Sequence, residues 1–290
     1  MVVIQKTKKY LSLVKFSHTL FAFPFALIGY FIAIAQPGYS FDPLLLLWVS
    51  LCMVFARTAA MAFNRFLDRR YDELNPRTKV REIPSGAISS RSAMTLVIIS
   101  TLAFVAVTYF INMLCFALSP VALLVILGYS YTKRFTALCH LVLGVGLSLS
   151  PIGAWLAVTE YFDLLPILFS FAVLFWVSGF DVIYALQDAD FDAANKLHSI
   201  PSRLGLKKAI ILSIILHLFS GAAVIAAGFI GNFGLLYWIG CGLFNMFLVF
   251  QHFLVKPGDL SRINLAFFTL NGIASLAFSA FVIADLYLPM

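Results

Sequence analysis

Apolar residues in this chain come in runs of about 18 to 25, long enough to cross a bilayer as helices, and the runs recur along its whole length. Nine are legible, at roughly 17–36, 43–66, 92–111, 113–131, 138–158, 164–187, 208–230, 233–254 and 264–287. In lipid such a run satisfies its backbone only by folding into a helix. A mean hydropathy of +0.97 with 11% charged residues exceeds what a soluble core needs, and no stretch is left for a separate soluble domain. The expectation is an all-α polytopic membrane protein. Nine transmembrane helices form one bundle, and 1–290 form one domain. The opening "MVVIQKTKKY" precedes a run of full transmembrane length, so that run reads as a mature helix rather than a cleaved leader.

Charge orients the bundle. Lys6, Lys8, Lys9 and Lys15 precede the first run, Arg65 to Arg91 follow the second, and Lys133 with Arg134 follow the fourth. Lys196 to Lys208 follow the sixth, and Lys256 with Arg262 the eighth. The alternate connections, "QPGYSFDP", "TEYFD" and "GFIGNFG", hold acids or nothing. The bias of Lys and Arg toward cytoplasmic loops places the N-terminus inside and the C-terminus outside. That asymmetry accounts for the net charge of +7, which is no argument for nucleic acid. Cys52, Cys115, Cys139 and Cys241 stand singly and read as small buried residues, with neither metal nor disulfide spacing. The histidines at 18, 140, 198, 217 and 252 lack ligand spacing and read as packed or interfacial.

Polar residues inside this pattern are informative because an ionised group in a span is costly and needs a partner or a cavity. Arg57, Asn64, Asp68 and Asp72 follow steps of seven, four and four, one face of a helix that runs past the second span. Asp181, Tyr184, Asp188 and Asp192 follow steps of three, four and four on the sixth. Arg65 and Asp190 fall off these stripes. Each stripe precedes a long polar connection, about 67–91 and 188–207, as though the bundle held two equivalent units. Paired carboxylates on two helices make an oxygen-only site, which suits Mg²⁺ rather than Zn²⁺. Magnesium commonly shares such ligands with substrate phosphates. With Arg77, Lys79, Arg81, Lys133 and Arg134 nearby, the site implies a diphosphate at the membrane surface and a lipid tail in an apolar cavity below.

These residues resemble a known family. "NRFLDRRYD" is similar to the N-D-x-x-D-x-x-x-D motif of the UbiA family of intramembrane prenyltransferases, and "DVIYALQDADFD" to its second acidic motif. "YSYTKRFT" supplies the Y-x-x-x-K as Tyr129 and Lys133, and "NPRTKVREIPSGAIS" resembles the loop of the branch that uses 4-hydroxybenzoate and related acids. The likeness covers about 15–280. One position departs: the Asp that usually follows the first Asn is Arg65 here.

The resemblance implies Mg²⁺-dependent transfer of a polyprenyl group from its diphosphate to an aromatic ring carbon, in respiratory quinone synthesis at a bacterial inner membrane, from a cavity opening to the cytoplasmic side. Asn64, Asp68, Asp72, Asp188 and Asp192 are its expected metal ligands, and Lys133, Arg134, Arg77, Lys79 and Arg81 its diphosphate contacts. Tyr129 and Tyr184 would face an allylic cation, Asp181 would take the ring proton, and Arg57 would grip the carboxylate of a small aromatic acid. A hydroxynaphthoate is the alternative acceptor, and haem farnesyl transfer a more distant one. Phosphatidyl-alcohol transferases are disfavoured because no Asp-Gly pair occurs, and P-S-G-H phosphatases because 84–87 read PSGA. An ion-coupled transporter would place its acids nearer the midplane.

Overall fold

The computed structural model describes residues 9–14 and 21–288, and these are helical apart from connections and one isolated bridge, Lys256 to Asp259. In chain order, α1 is Phe23–Ile34, α2 Pro43–Leu74, α3 Ser90–Ile111, α4 Met113–Thr132, α5 Cys139–Thr159 and α6 Leu164–Ala185. Short helices α7 (Ala189–Ala194) and α8 (Ile200–Leu204) follow, then α9 (Leu206–Ile230), α10 (Leu235–Leu254) and α11 (Asn271–Tyr287). Eight helical segments are long and apolar enough to cross a membrane, and α1 adds a shorter apolar helix of 12 residues. The expected first span began at 17; residues 17–20, Lys6, Lys8 and Lys15 lie outside the described residues.

Local chemistry sets the boundaries. Asp42, Ser89, Asn112 and Asp163 cap the N-termini of α2, α3, α4 and α6 by accepting backbone N–H groups, the standard answer to a helix's orphan donors. At 32 residues α2 is roughly 48 Å long, against a hydrocarbon core of about 30 Å, so its end projects past the span. Asn64, Asp68 and Asp72 lie on that projecting part.

Hydrophobicity alone does not hold such helices together, because lipid is as apolar as they are; close backbone approach and interhelical hydrogen bonds do. A Cβ on Gly29 would lie 2.1 Å from the Pro151 carbonyl oxygen, and one on Gly144 would lie 2.5 Å from that of Leu174. These contacts seat α1 on α5 and α5 on α6. Ser213 and Ser220 on α9 donate to the carbonyls of Gly179 and Ala172 on α6, each at 2.8 Å. Bonds of this kind contribute about 0.6 kcal/mol each in a membrane. Between them lies an aromatic core of Phe25, Phe169, Trp176, Tyr237, Phe244 and Phe278, all buried.

Two irregular turns break the helical regularity that sequence spacing assumes. The sixth run is not one helix to its end: a 3-10 turn at Leu186–Asp188 separates α6 from α7. The last run opens with a π turn at Leu265–Leu270. The Asn271 amide donates to the carbonyls of Ala266 and Phe267 at 3.0 and 2.9 Å, satisfying groups that the wider turn frees. Its carbonyl oxygen accepts from the Trp176 indole at 2.7 Å, fixing the turn to α6.

Candidate active site

The cavity, about 890 Å³, lies between the projecting end of α2, the end of α4, the start of α5, the end of α6 and the π turn. Its volume is in the upper part of the range for small-molecule sites. The connections 75–89 and 195–199 lie at its mouth, and aromatic side chains line its depth.

Four cations meet four carboxylates at the mouth, one to one. Arg77 on the connection after α2 forks onto Asp188: its Nε donates to Oδ1 at 3.0 Å and its Nη2 to Oδ2. Asn75 donates to the same Oδ1 at 3.0 Å. Arg81 donates to Asp72 at 2.6 Å, and Lys133 Nζ lies 2.7 Å from Asp192 Oδ1. Arg134 donates to Asp68 Oδ1 at 3.0 Å while also holding the Leu67 and Ser130 carbonyls. Asn64 completes the α2 stripe by donating to Asp68 Oδ2 at 3.1 Å. Burial presses the pKa of Lys133 down, but the nearby Asp192 charge outweighs that and holds it above the ordinary value. Arg77 behaves alike: burial lowers it, and the Asp188 carboxylate raises it past its usual value.

The carboxylates keep free lone pairs. Asp72 Oδ2 and both oxygens of Asp192 are buried without a hydrogen bond. Lys133 stands within ion-pair range of Asp192 Oδ1, but off the hydrogen-bonding direction. Among the described residues no group of three or more His, Cys, Asp or Glu side chains is arranged to hold a metal ion by itself. This all-oxygen, open set fits a hard cation that fills its shell with water and phosphate oxygens, and it does not fit a closed protein cage.

Deeper in the cavity, the Tyr184 ring stacks on Phe267 at 4.1 Å, its hydroxyl accepting from Arg77 Nη1 at 3.2 Å. Phe21 and Phe180 pack against the same Phe267. Tyr129 and Arg57 also line the cavity. Arg57 makes no ion pair among the described residues, and its Nε is buried without a hydrogen bond. Asp181, a conceivable partner for it, is engaged elsewhere: His140 Nδ1 lies 2.7 Å from Asp181 Oδ2.

Most residues anticipated from sequence come together here, with exceptions. Lys79 is exposed and does not line the cavity, because the turn after Asn75 directs Arg77 and Arg81 inward instead. Arg134 braces Asp68 from outside the cavity lining. Arg65, expected off the stripe, is buried and reaches the cavity wall, since a wide cavity admits more than one face of α2. Asp190 is exposed, as its offset implied. Asn75 and His140 carried no spacing signal, and His140 is a cavity residue rather than the packing residue its sequence suggests. The only available hint was a polar ring in an apolar run.

Comparison with known proteins agrees with this fold. Residues 22–273 match the UbiA prenyltransferase family. A 4-hydroxybenzoate octaprenyltransferase of Nitrosospira multiformis is 29% identical over 259 residues, 86% of each chain. The apo structure of a UbiA homolog from Aeropyrum pernix K1 superposes with a TM-score of 0.84 at 32% identity, covering 92% of this chain and 98% of that one. A UbiA homolog from Archaeoglobus fulgidus bound to DMAPP and Mg²⁺ has the same fold, with a TM-score of 0.76 at 18% identity over 97% and 99% of the chains. An all-helical membrane bundle with paired acidic helix ends over an aromatic cavity, matched along most of its length, makes this chain a member of the UbiA prenyltransferase family.

Proposed function

We propose that the protein transfers a polyprenyl group from its diphosphate to a ring carbon of a small aromatic acid, 4-hydroxybenzoate foremost. One observation carries the reading. Carboxylates at the acidic ends of two helices, each paired with its own cation, close over a cavity lined by aromatic rings and by Arg57, which makes no ion pair among the described residues. The names of the relatives support it: the Nitrosospira protein acts on 4-hydroxybenzoate by name, and the Archaeoglobus protein binds a prenyl diphosphate with magnesium.

In this reading Asn64, Asp68, Asp72, Asp188 and Asp192 hold Mg²⁺, which supplies positive charge to the departing diphosphate. Arg77, Arg81 and Lys133 exchange their carboxylates for phosphate oxygens, and Arg134 keeps Asp68 in place. The prenyl tail lies in the apolar depth, away from water. As the C–O bond breaks, Tyr184 and Tyr129 present ring faces to the allylic cation. Arg57 forks onto the acceptor's carboxylate, a planar anion that matches its two donors. The ring carbon then attacks the cation, and Asp181 takes the proton that the ring gives up. The mouth with its long connections faces the cytoplasm.

The test is protein in liposomes with Mg²⁺, a labelled prenyl diphosphate and one aromatic acid at a time. Label in a prenylated 4-hydroxybenzoate is expected. Label in hydroxynaphthoate alone would move the assignment to the other acceptor, and no labelled aromatic product would overturn it.

A further inference from the structure

His140 joins three segments that the sequence keeps apart. It stands at the start of α5, 5% exposed at the side chain, in the cavity wall. Its Nδ1 lies 2.7 Å from Asp181 Oδ2 on α6. Its Nε2 accepts the Ile200 N–H at 3.3 Å, a first-turn amide of α8 that no helical carbonyl can reach. A backbone N–H can only donate, so Nε2 carries a lone pair. The proton of the neutral ring is therefore on Nδ1 and is donated to Asp181. Asp181 lines the cavity, and its other oxygen, Oδ1, accepts no hydrogen bond among the described residues.

We infer that His140 is a positioning residue that holds Asp181 as an acceptor for the proton leaving the aromatic ring, with the Ile200 amide fixing its tautomer. This rests on the transfer reaction proposed above. The ring's π pair forms the new carbon–carbon bond to the allylic carbon, whose bond to the diphosphate oxygen has broken. The C–H pair at the substituted carbon returns to the ring, and the proton passes to Asp181 Oδ1. Throughout, the Nδ1–H of His140 holds Oδ2, so the carboxylate cannot rotate its free oxygen away from the acceptor. The released diphosphate is the competing base, and the arrangement gives the proton a nearer destination.

Two substitutions separate positioning from packing. His140→Leu removes both bonds, whereas His140→Asn keeps an N–H donor near the Nδ1 position. His140→Leu should lower kcat on the order of 100-fold, the cost of a misplaced reacting group, with the KM of both substrates unchanged. Acid deuterated at the reacting ring carbon should then react more slowly than the protiated acid, a difference absent in the unaltered enzyme. His140→Asn should recover most of kcat and lose the isotope effect. If the leucine protein does not fold, His140→Gln, which can reach Ile200 but not Asp181, replaces it. Transfer by the unaltered protein together with a wild-type kcat in His140→Leu or, where that does not fold, in His140→Gln would overturn this inference alone. Equal loss in that variant and in His140→Asn, without an isotope effect, would do the same. No transfer by the unaltered protein would overturn the reaction and this inference with it.

Discussion

Replacing Arg57 tests the acceptor side of the site without confounding it with folding. Removing one member of a buried ion pair ordinarily costs 3–5 kcal/mol, roughly, because the partner is stranded. Arg57 has no such partner among the described residues, and Asp181 keeps its bond to His140. Arg57→Met should therefore leave thermal stability in detergent unchanged, or raise it. The loss should appear in binding: a charge-assisted fork onto a carboxylate is worth roughly 2–4 kcal/mol, on the order of 30- to 1,000-fold in affinity. Initial rates in liposomes, with each substrate varied in turn, measure it. The KM for the aromatic acid should rise by that factor while the KM for the prenyl diphosphate stays put. Arg57→Lys should do little better, since an ammonium has no planar fork. A folded Arg57→Met protein in which only the diphosphate KM moves would refute the reasoning.

Asp68→Ala and Asp192→Ala should each abolish transfer, and EDTA should mimic them; near wild-type turnover of either at saturating Mg²⁺ would separate the two acidic motifs. Lys133→Met strands Asp192, whose side chain is 0% exposed, and should cost about 2–3 kcal/mol after allowance for the exposure of Lys133 itself. Adding Asp192→Asn should restore most of the melting temperature, and its failure to do so would show that the pair is not coupled. Because the Lys133 pKa is raised, the pair stabilises fully below the ordinary value of 10.5 and weakens only as pH climbs through the raised value, so Lys133→Met should narrow its deficit only in strong alkali. In a protein freed of native cysteines, an impermeant thiol reagent added outside should label Glu160→Cys and spare Lys79→Cys; the reverse labelling would invert the orientation.

Helical spacing disclosed the parts of the site that lie along one continuous helix. Arg57, Asn64, Asp68 and Asp72 share α2, where the helical repeat turns spacing into a common face. Asp188 and Asp192 remained legible as a pair although a 3-10 turn breaks their helix, because the turn shifts the face without moving either residue off the cavity. What stayed hidden joins distant segments. Asn75 and Arg77 reach Asp188 across 113 and 111 residues, and His140 reaches Asp181 across 41. No periodicity spans such gaps. Lys79 shows the same limit: in a turn, neighbouring cations diverge by local backbone geometry that charge patterning does not encode.

The one-to-one pairing at the cavity mouth makes the resting site electrically closed. Asp68, Asp72, Asp188 and Asp192 are balanced by Arg134, Arg81, Arg77 and Lys133. A divalent cation arriving alone would displace cations into a poorly solvated space, and a diphosphate alone would strand the carboxylates it deprives. Arriving together, each takes the partners the other releases, and little net charge is added. On the proposed reaction the two ligands would therefore be energetically coupled, and the coupling would be reciprocal: by whatever factor diphosphate tightened magnesium, magnesium would tighten diphosphate. Such a site would behave as a lock opened by two keys at once, and its acids would not collect metal when there is no lipid to transfer.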